Sequence, residues 1–569
     1  MLGARSSVRL AVLLGVGLAL GFHASAAPTL DARIGFASTV VPRLHAPIRV
    51  TVSGLDAPRP GSLRVVQRLG ILSDLPSTVT IDLTEGDVSD GIYESAIPVY
   101  DPLNPIDVHL IDPDGTIIAS QQLNFRLFMR STPYPLVCGS TLRLGGAAIP
   151  VGPSELSQEW WAYEAIDTIW LASVSLPRPT WDAIMRWVQA GGSLVLLTGS
   201  DYYKLDASVL QELFPHRDAV IEEADDGVAY LKATYPAGAE TLLWRDDGIP
   251  LLHARSMGAG SIQLVTVRAD DLSDAETRTL ASRVRSSKLF SLQSAARSFH
   301  GEIRVPRPNY LMAPLIVLVL VAAIQASRVL VVRGRAAGEA RWRIGIVLIC
   351  AAVIGASVFA GFYTNRAKRL VELYHEKTTV DVYMSSGVRV ASHVLFAPGF
   401  PLGVDLPRTQ ESVPAYALTR SVAGAVFDST ATSKSLEVPL SAGETRHLRA
   451  YGDSRKLVEV RVEGDRATIV NHTESGIAVA YVIAEGLMYR TTDVPPGEQV
   501  VPLIGGLRVW ALRGIDEYAE VLKIIEASFP FTKGVWVIAV SDETTIQSGE
   551  QTEIKVRDVH VRIAQGVTL

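Results

Sequence analysis

Cysteine is almost absent from this chain: 569 residues hold two, Cys138 and Cys350. Cys350 lies inside an apolar run and Cys138 in a distant soluble region, so an intrachain disulfide is not expected and ordinary cores must stabilise the fold. A surplus of basic charge is also missing. The 53 Lys and Arg against 59 Asp and Glu leave a net charge of −6, which gives no reason to expect nucleic acid as a partner. No repeat of solenoid length is present. Charged residues make up only 20% and apolar ones 48%, which excludes a disordered chain. The length predicts about three or four domains.

What is present begins with a secretory pattern. Arg5 and Arg9 precede a short apolar stretch, and Ala24-Ser25-Ala26 offers an A-x-A cleavage site. Residues 1–26 are therefore expected to be a signal peptide. The mean hydropathy of +0.23 is high, and two apolar runs account for it: residues 310–327 (YLMAPLIVLVLVAAIQAS) and residues 344–363 (IGIVLICAAVIGASVFAGFY). Neither contains a charged residue. As helices each would be about long enough to cross a hydrocarbon core of roughly 30 Å. Between them lie Arg328, Arg333, Arg335, Arg341 and Arg343 against the single acid Glu339. Short arginine-rich loops stay on the cytoplasmic side. The expectation is a transmembrane helix over 308–332, a cytoplasmic loop over 333–343 and a second helix over 344–363. Both flanking portions would be extracytoplasmic, and the protein would be multi-pass in a bacterial inner membrane. Arg366, Lys368 and Arg369 oppose this orientation but are outnumbered.

The flanking portions differ in pattern. Residues 27–131 carry short alternating runs such as IRVTVSG, STVTIDL and IDVHLID between turns such as Asp112-Pro113-Asp114-Gly115, which predicts an immunoglobulin-like β-sandwich. Residues 132–272 alternate strand and helix. Trp181, Ile184, Met185 and Val188 recur at helical spacing after Pro179, Gly191 and Gly192 stop the helix, and SLVLLTG and SIQLVTV read as buried strands. This predicts an α/β domain with a mostly parallel sheet. Residues 273–307 are expected to form a helical linker, with Asp271 or Ser273 capping a helix through Thr277, Leu280 and Val284. Residues 364–569 are again β-rich, with a helical spacing in IDEYAEVLKIIEASF. The expected fold class is thus a multidomain membrane protein. It combines a β-sandwich, an α/β domain, a two-helix transmembrane hairpin and a C-terminal β-rich portion.

The run WWAYEAIDTIWLASVSLPRPTWDAIMRWVQAGGSLVLLTG, followed by Met257-Gly258-Ala259-Gly260 before a strand, resembles the class I glutamine amidotransferase-like domain of bacterial membrane proteins. The resemblance covers about a quarter of the chain and implies the fold more than the function. Active members place a nucleophilic Cys on a sharp turn after a strand, with a His and a Glu completing the relay. Here the corresponding turn reads Leu197-Thr198-Gly199-Ser200-Asp201-Tyr202 and lacks Cys.

Ser200 lacks the surroundings of a nucleophile motif, and His216 and His253 sit in no relay pattern. Asp270, Asp271 and Asp274 lack calcium-loop spacing, and His300, His375 and His393 are isolated. Trp160, Trp161, Trp170, Trp181 and Trp187 suggest a sugar platform, yet their spacing fits core packing better. Asn471-His472-Thr473 is a glycosylation sequon of little weight here. The reading is a non-catalytic envelope protein with no cofactor and no metal. It would bind membrane or envelope proteins, or a small ligand, in an envelope or transport complex, with Thr198, Gly199, Ser200, Asp201 and Tyr202 lining the ligand crevice at the sheet's carboxyl end. The rival reading is a degenerate hydrolase with its site near Ser200.

Overall fold

In the computed structural model β-strand makes up 53% of the structure. The described residues are 27–284, 372–508 and 534–568, apart from short stretches within them, together with a few single residues in between. Alternation drives the strands. In His45–Ser53 the side chains of Ala46, Ile48, Val50 and Val52 are buried while Arg49 and Thr51 point to the other face.

The expected transmembrane hairpin requires correction. Among the described residues no helix is long and apolar enough to cross a membrane. The longest described α-helix, Arg178–Gln189, has 12 residues. At about 1.5 Å per residue it falls well short of a hydrocarbon core. The fold class with a two-helix hairpin and the multi-pass inner-membrane placement built on it are therefore not supported. Most of 310–327 and all of 344–363, like the signal segment 1–26, lie outside the described residues.

Residues 134–265 contain a seven-stranded sheet. Its spatial order is Ile149–Val151, Tyr134–Cys138, Ile166–Ala172, Ser193–Leu197, Gly260–Val265, Pro250–Met257 and Glu240–Trp244. The first five are parallel, Pro250–Met257 is antiparallel to its neighbour Gly260–Val265, and Glu240–Trp244 is antiparallel to Pro250–Met257. The chain runs from Tyr134–Cys138 outward to Ile149–Val151, then returns to the other side at Ile166–Ala172. That reversal is a topological switch point, the place at the strands' carboxyl ends where such sheets bind ligands. The helix Arg178–Gln189 covers one face through Trp181, Ile184, Met185 and Val188. Its glycine stop has a packing cause. A β-carbon on Gly192 would lie 2.2 Å from the Trp187 ring, and one on Gly260 would meet the Val188 carbonyl oxygen at 2.1 Å. The glycines of the Met257–Gly260 turn thus allow backbone approach rather than cradle a phosphate.

The sandwich strands do not close on themselves. One sheet is Thr29–Ile34, His45–Ser53 and Gly91–Pro98. The other joins Ser62–Leu69, Ser77–Asp82, Ile106–Ile111 and Ile117–Leu123 to three strands from far down the chain, through Val426 opposite Thr80 and Phe427 opposite Ile81. An eight-stranded sheet built from residues 372–565 packs its Val380, Val390, Tyr451, Trp536 and Val561 into one core with Trp160, Tyr163 and Trp187 of the α/β region. Trp160, Trp170, Trp181 and Trp187 are all buried. Tyr518, Leu522, Ile525 and Phe529 join the same core at helical spacing.

At the centre of this assembly Glu164, fully buried, accepts four hydrogen bonds. His45 donates its backbone N–H at 2.9 Å and its Nδ1–H at 2.7 Å, the Arg449 guanidinium donates at 2.7 Å, and the Tyr451 hydroxyl donates at 2.6 Å. Burial alone would raise this carboxyl, but Arg449, His45 and Tyr451 more than offset that and hold it at about 2. The sandwich, the α/β sheet and the C-terminal sheet meet on one anion. Asn471 of the sequon is likewise structural. It is buried, and its amide donates to the carbonyls of Ser475, Val494 and Pro495.

Glu164→Gln is expected to destabilise the protein by about 3–5 kcal/mol, because Arg449 loses its counter-charge in a buried site. The Glu164 pKa is depressed on folding, so its stabilisation is complete above the ordinary carboxylate range and is lost as pH falls through about 2. Denaturant unfolding measured from about pH 5 to pH 2 should show this loss in the wild type and not in the variant.

Candidate functional site

The crevice at the carboxyl ends of the parallel strands is built from three consecutive turns, each with a left-handed residue. Gly139 (φ 78°) follows the Tyr134–Cys138 strand, Ser173 (φ 52°) follows Ile166–Ala172, and Gly199 (φ 55°) follows Ser193–Leu197. Glycine adopts this conformation freely, whereas serine does so only when its surroundings impose it. At Gly139 a β-carbon would lie 2.0 Å from the Ala172 carbonyl oxygen, so adjacent turns touch there. Ser173 was not legible from sequence, because a left-handed serine leaves no compositional signal.

The residues expected to line the crevice have separate fates. Thr198 is buried and its hydroxyl donates to the Val265 carbonyl at 2.7 Å, tying two strand ends together. Gly199 is pressed against Arg268, where a β-carbon would meet the backbone nitrogen at 2.5 Å. Ser200 is exposed. Asp201 is nearly buried and accepts a hydrogen bond from the Ser173 hydroxyl, with Lys204 Nζ at 2.7 Å and Arg268 Nε at 3.4 Å. Burial works against its charge, but Lys204, Ser173 and Arg268 keep its carboxyl below the usual range. Tyr202 is half-buried and its hydroxyl lies 2.6 Å from His216 Nε2. Tyr203 packs edge-on against Tyr202 and is 71% exposed.

The two histidines of the domain are engaged elsewhere. His216 Nδ1 lies 2.8 Å from the Phe214 carbonyl oxygen, which can only accept, so Nδ1 carries the proton and Nε2 accepts from Tyr202. His253 Nδ1 lies 3.1 Å from the Thr241 hydroxyl, and burial pushes its imidazole down to about 4. Neither histidine is hydrogen-bonded to Ser200. Cys138 is buried at the end of its strand, and burial, helped by the Glu155 carboxylate, pushes its thiol up to about 11. Burial also raises the Tyr202 phenol above its ordinary value. The nucleophiles near the crevice are therefore held in their protonated forms or lack a base. Ser273 caps its helix with a reciprocal bond to Glu276, and Asp270 pairs with Arg268 at 3.0 Å. Among the described residues no three His, Cys, Asp or Glu side chains converge as a metal-ligand set.

Two further polar features lie outside the crevice. A cleft of about 500 Å³ separates the open face of the three-stranded sheet, with Asp31, Arg33, Arg49 and Glu94, from the Gly152–Ser157 segment of the α/β region. On the C-terminal sheet, Asp381 accepts from Arg389 at 2.7 Å and from His560 Nε2 at 2.7 Å, while Arg562 donates to His560 Nδ1 at 3.0 Å. Because Arg562 can only donate, His560 is fixed neutral with its proton on Nε2.

The chain matches no protein-family profile, and no curated protein sequence is similar to it. Among solved structures it is similar to the exo-beta-1,4-mannosidase Op5Man5 from Opitutaceae bacterium strain TAV5, with 15% identity and a TM-score of 0.18. The match covers 27% of this chain and 33% of that enzyme, so the chain spans about a third of its length. At that score the likeness carries no argument about fold or activity.

With Cys350 replaced by serine, Cys138 in the native protein should react with a thiol-specific reagent near pH 8 on the order of 100-fold more slowly than in the unfolded chain, because little thiolate exists at its raised pKa. Equal rates would place an accessible thiolate in the crevice.

Proposed function

We propose that this chain is a non-catalytic binding protein that engages a protein partner or a small ligand at the carboxyl end of its α/β sheet, around Asp201, Tyr202 and Tyr203. The observation that carries this reading is an exposed aromatic ring on a rigidly held turn. Tyr203, packed edge-on against Tyr202 and 71% exposed, stands on a turn that Thr198, Asp201 and Tyr202 each anchor to a different neighbour. A fixed, exposed tyrosine offers contact area at small entropic cost. The charges beside it are neutralised internally, Asp201 by Lys204 and Arg268, and Arg268 also by Asp270. Such a surface favours recognition over proton transfer.

The hydrolase reading finds no support in the geometry. Ser200 has no histidine bonded to it, and the Tyr202–His216 pair ends on a backbone carbonyl rather than a carboxylate.

Purified protein is expected to give no saturable turnover of activated ester, amide or glycoside substrates, with Ser200→Ala identical to wild type. Turnover that disappears in Ser200→Ala would overturn the non-catalytic reading. In the same protein, a photo-reactive residue at position 203 should capture a binding partner more efficiently than one at the exposed position 117 on the sandwich. Equal capture would remove Tyr203 from the binding surface.

A further inference from the structure

Among the described residues, the contact between the sandwich and the α/β region holds a carboxyl, Glu159, with no cation paired to it. Glu159 immediately precedes the short helical turn Trp160–Tyr163, which rests on the strands His45–Ser53 and Gly91–Pro98. The carboxyl accepts from the Ala96 backbone N–H and from the Trp161 side chain. Its Oε2 is sealed from solvent and has no hydrogen-bond partner.

The charged groups on the packed elements are committed elsewhere. On His45–Ser53, Arg49 is paired with Glu94 and donates to the Ser154 carbonyl, while His45 serves Glu164. On the helix Arg178–Gln189, Arg186 pairs with Asp453 at 2.9 Å. On its own turn, Glu164 is saturated by His45, Arg449 and Tyr451. The charge that does act on Glu159 is Glu94, and it is repulsive. Glu94 also lines the 500 Å³ cleft, together with Ser95 and Ser157, the neighbours in sequence of Ala96 and Gln158.

We propose that Glu159 is a proton-operated latch on this contact: neutral, it lets the Trp160–Tyr163 turn close on the strand Gly91–Pro98, and ionised, it drives the two apart and widens the cleft beside them. A neutral carboxyl tolerates a sealed site, whereas a carboxylate with one oxygen unpartnered and a like charge nearby does not. Burial, with a further push from Glu94 and despite the bonds from Ala96 and Trp161, brings this group up to about 7. A carboxyl pKa raised on closing means the closed state is most favoured below the ordinary carboxylate range. That preference is lost as pH rises through about 7. The latch therefore works at near-neutral pH, in the opposite sense to Glu164.

The test is hydrogen exchange of the full chain, corrected for intrinsic rates, from about pH 5.5 to 8.5, which brackets the Glu159 titration. Protection of the Gly91–Pro98 strand should fall by about tenfold per pH unit as pH rises toward the midpoint in the wild type, and level off above it, where the closed state is ionised as well. Glu159→Gln, which keeps an acceptor for Ala96 and cannot ionise, should abolish that dependence. Glu94→Gln should move the midpoint to lower pH without abolishing it, an effect that a merely structural role for Glu94 would not produce. The same pH profile in wild type and Glu159→Gln would overturn the latch. So would an unmoved midpoint in Glu94→Gln, the readout that remains if Glu159→Gln does not fold.

Discussion

The Glu164 carboxylate sits where three parts of the chain converge, and its four donors come from two of them. His45 comes from the sandwich, Arg449 and Tyr451 from the C-terminal sheet. A fully buried carboxylate is tolerated only when its lone pairs are taken and a cation stands beside it. Both conditions hold, and neither can be met by the α/β region alone. The relative placement of the three parts is thereby set by one anion. Its surroundings reinforce this, with Trp160 edge-on to Tyr451 at 5.4 Å and Arg186 paired with Asp453 across the same boundary.

That constraint explains why the crevice and the cleft are separate features. The turn Trp160–Tyr163 is pinned between Glu164 and the sandwich, so the cleft opens on the sandwich side of the α/β sheet. The left-handed turns at Gly139, Ser173 and Gly199 lie at the carboxyl ends of the parallel strands. There Asp201 is paired with Lys204 and Arg268, and burial raises the Cys138 thiol and the Tyr202 phenol above their ordinary values. Rigidity there comes from hydrogen bonds that satisfy the protein itself.

Short-range patterns were the legible part of this sequence. The helix Arg178–Gln189 follows from Trp181, Ile184, Met185 and Val188 at helical spacing, and the strand Ser193–Leu197 from its uninterrupted apolar run. The tryptophans read as core because their spacing matches the elements that carry them. What was illegible is long-range. Nothing near Thr80 announces Val426 as its partner, because a strand's neighbour in a sheet is set by tertiary packing and not by local propensity. Glu164 carries no local signal of its role, since its donors lie 119, 285 and 287 residues away. In the crevice the turn Thr198–Tyr202 could be found from the strand that precedes it, but Ser173 and Arg268, which hold Asp201, come from other strand ends. The hairpin expectation rested on two uncharged apolar runs and the arginine-rich loop between them, and no described helix has the length it required.

Glu159 and Glu164 flank the same short turn and show how two identical side chains take opposite roles. Both are desolvated, and burial alone would raise both. Arg449 stands beside Glu164 and brings it down to about 2, whereas Glu94 is the charge acting on Glu159, which rises to about 7. The turn therefore has one permanently charged end that fixes it to the C-terminal sheet. Its other end is neutral or charged according to the proton concentration. A rigid pivot with one titrating edge permits a local opening without disturbing the joint at Glu164, because the two carboxyls titrate about five pH units apart. Separation on that scale, rather than the presence of a carboxyl as such, keeps the assembly closed on one side while the other is free to respond.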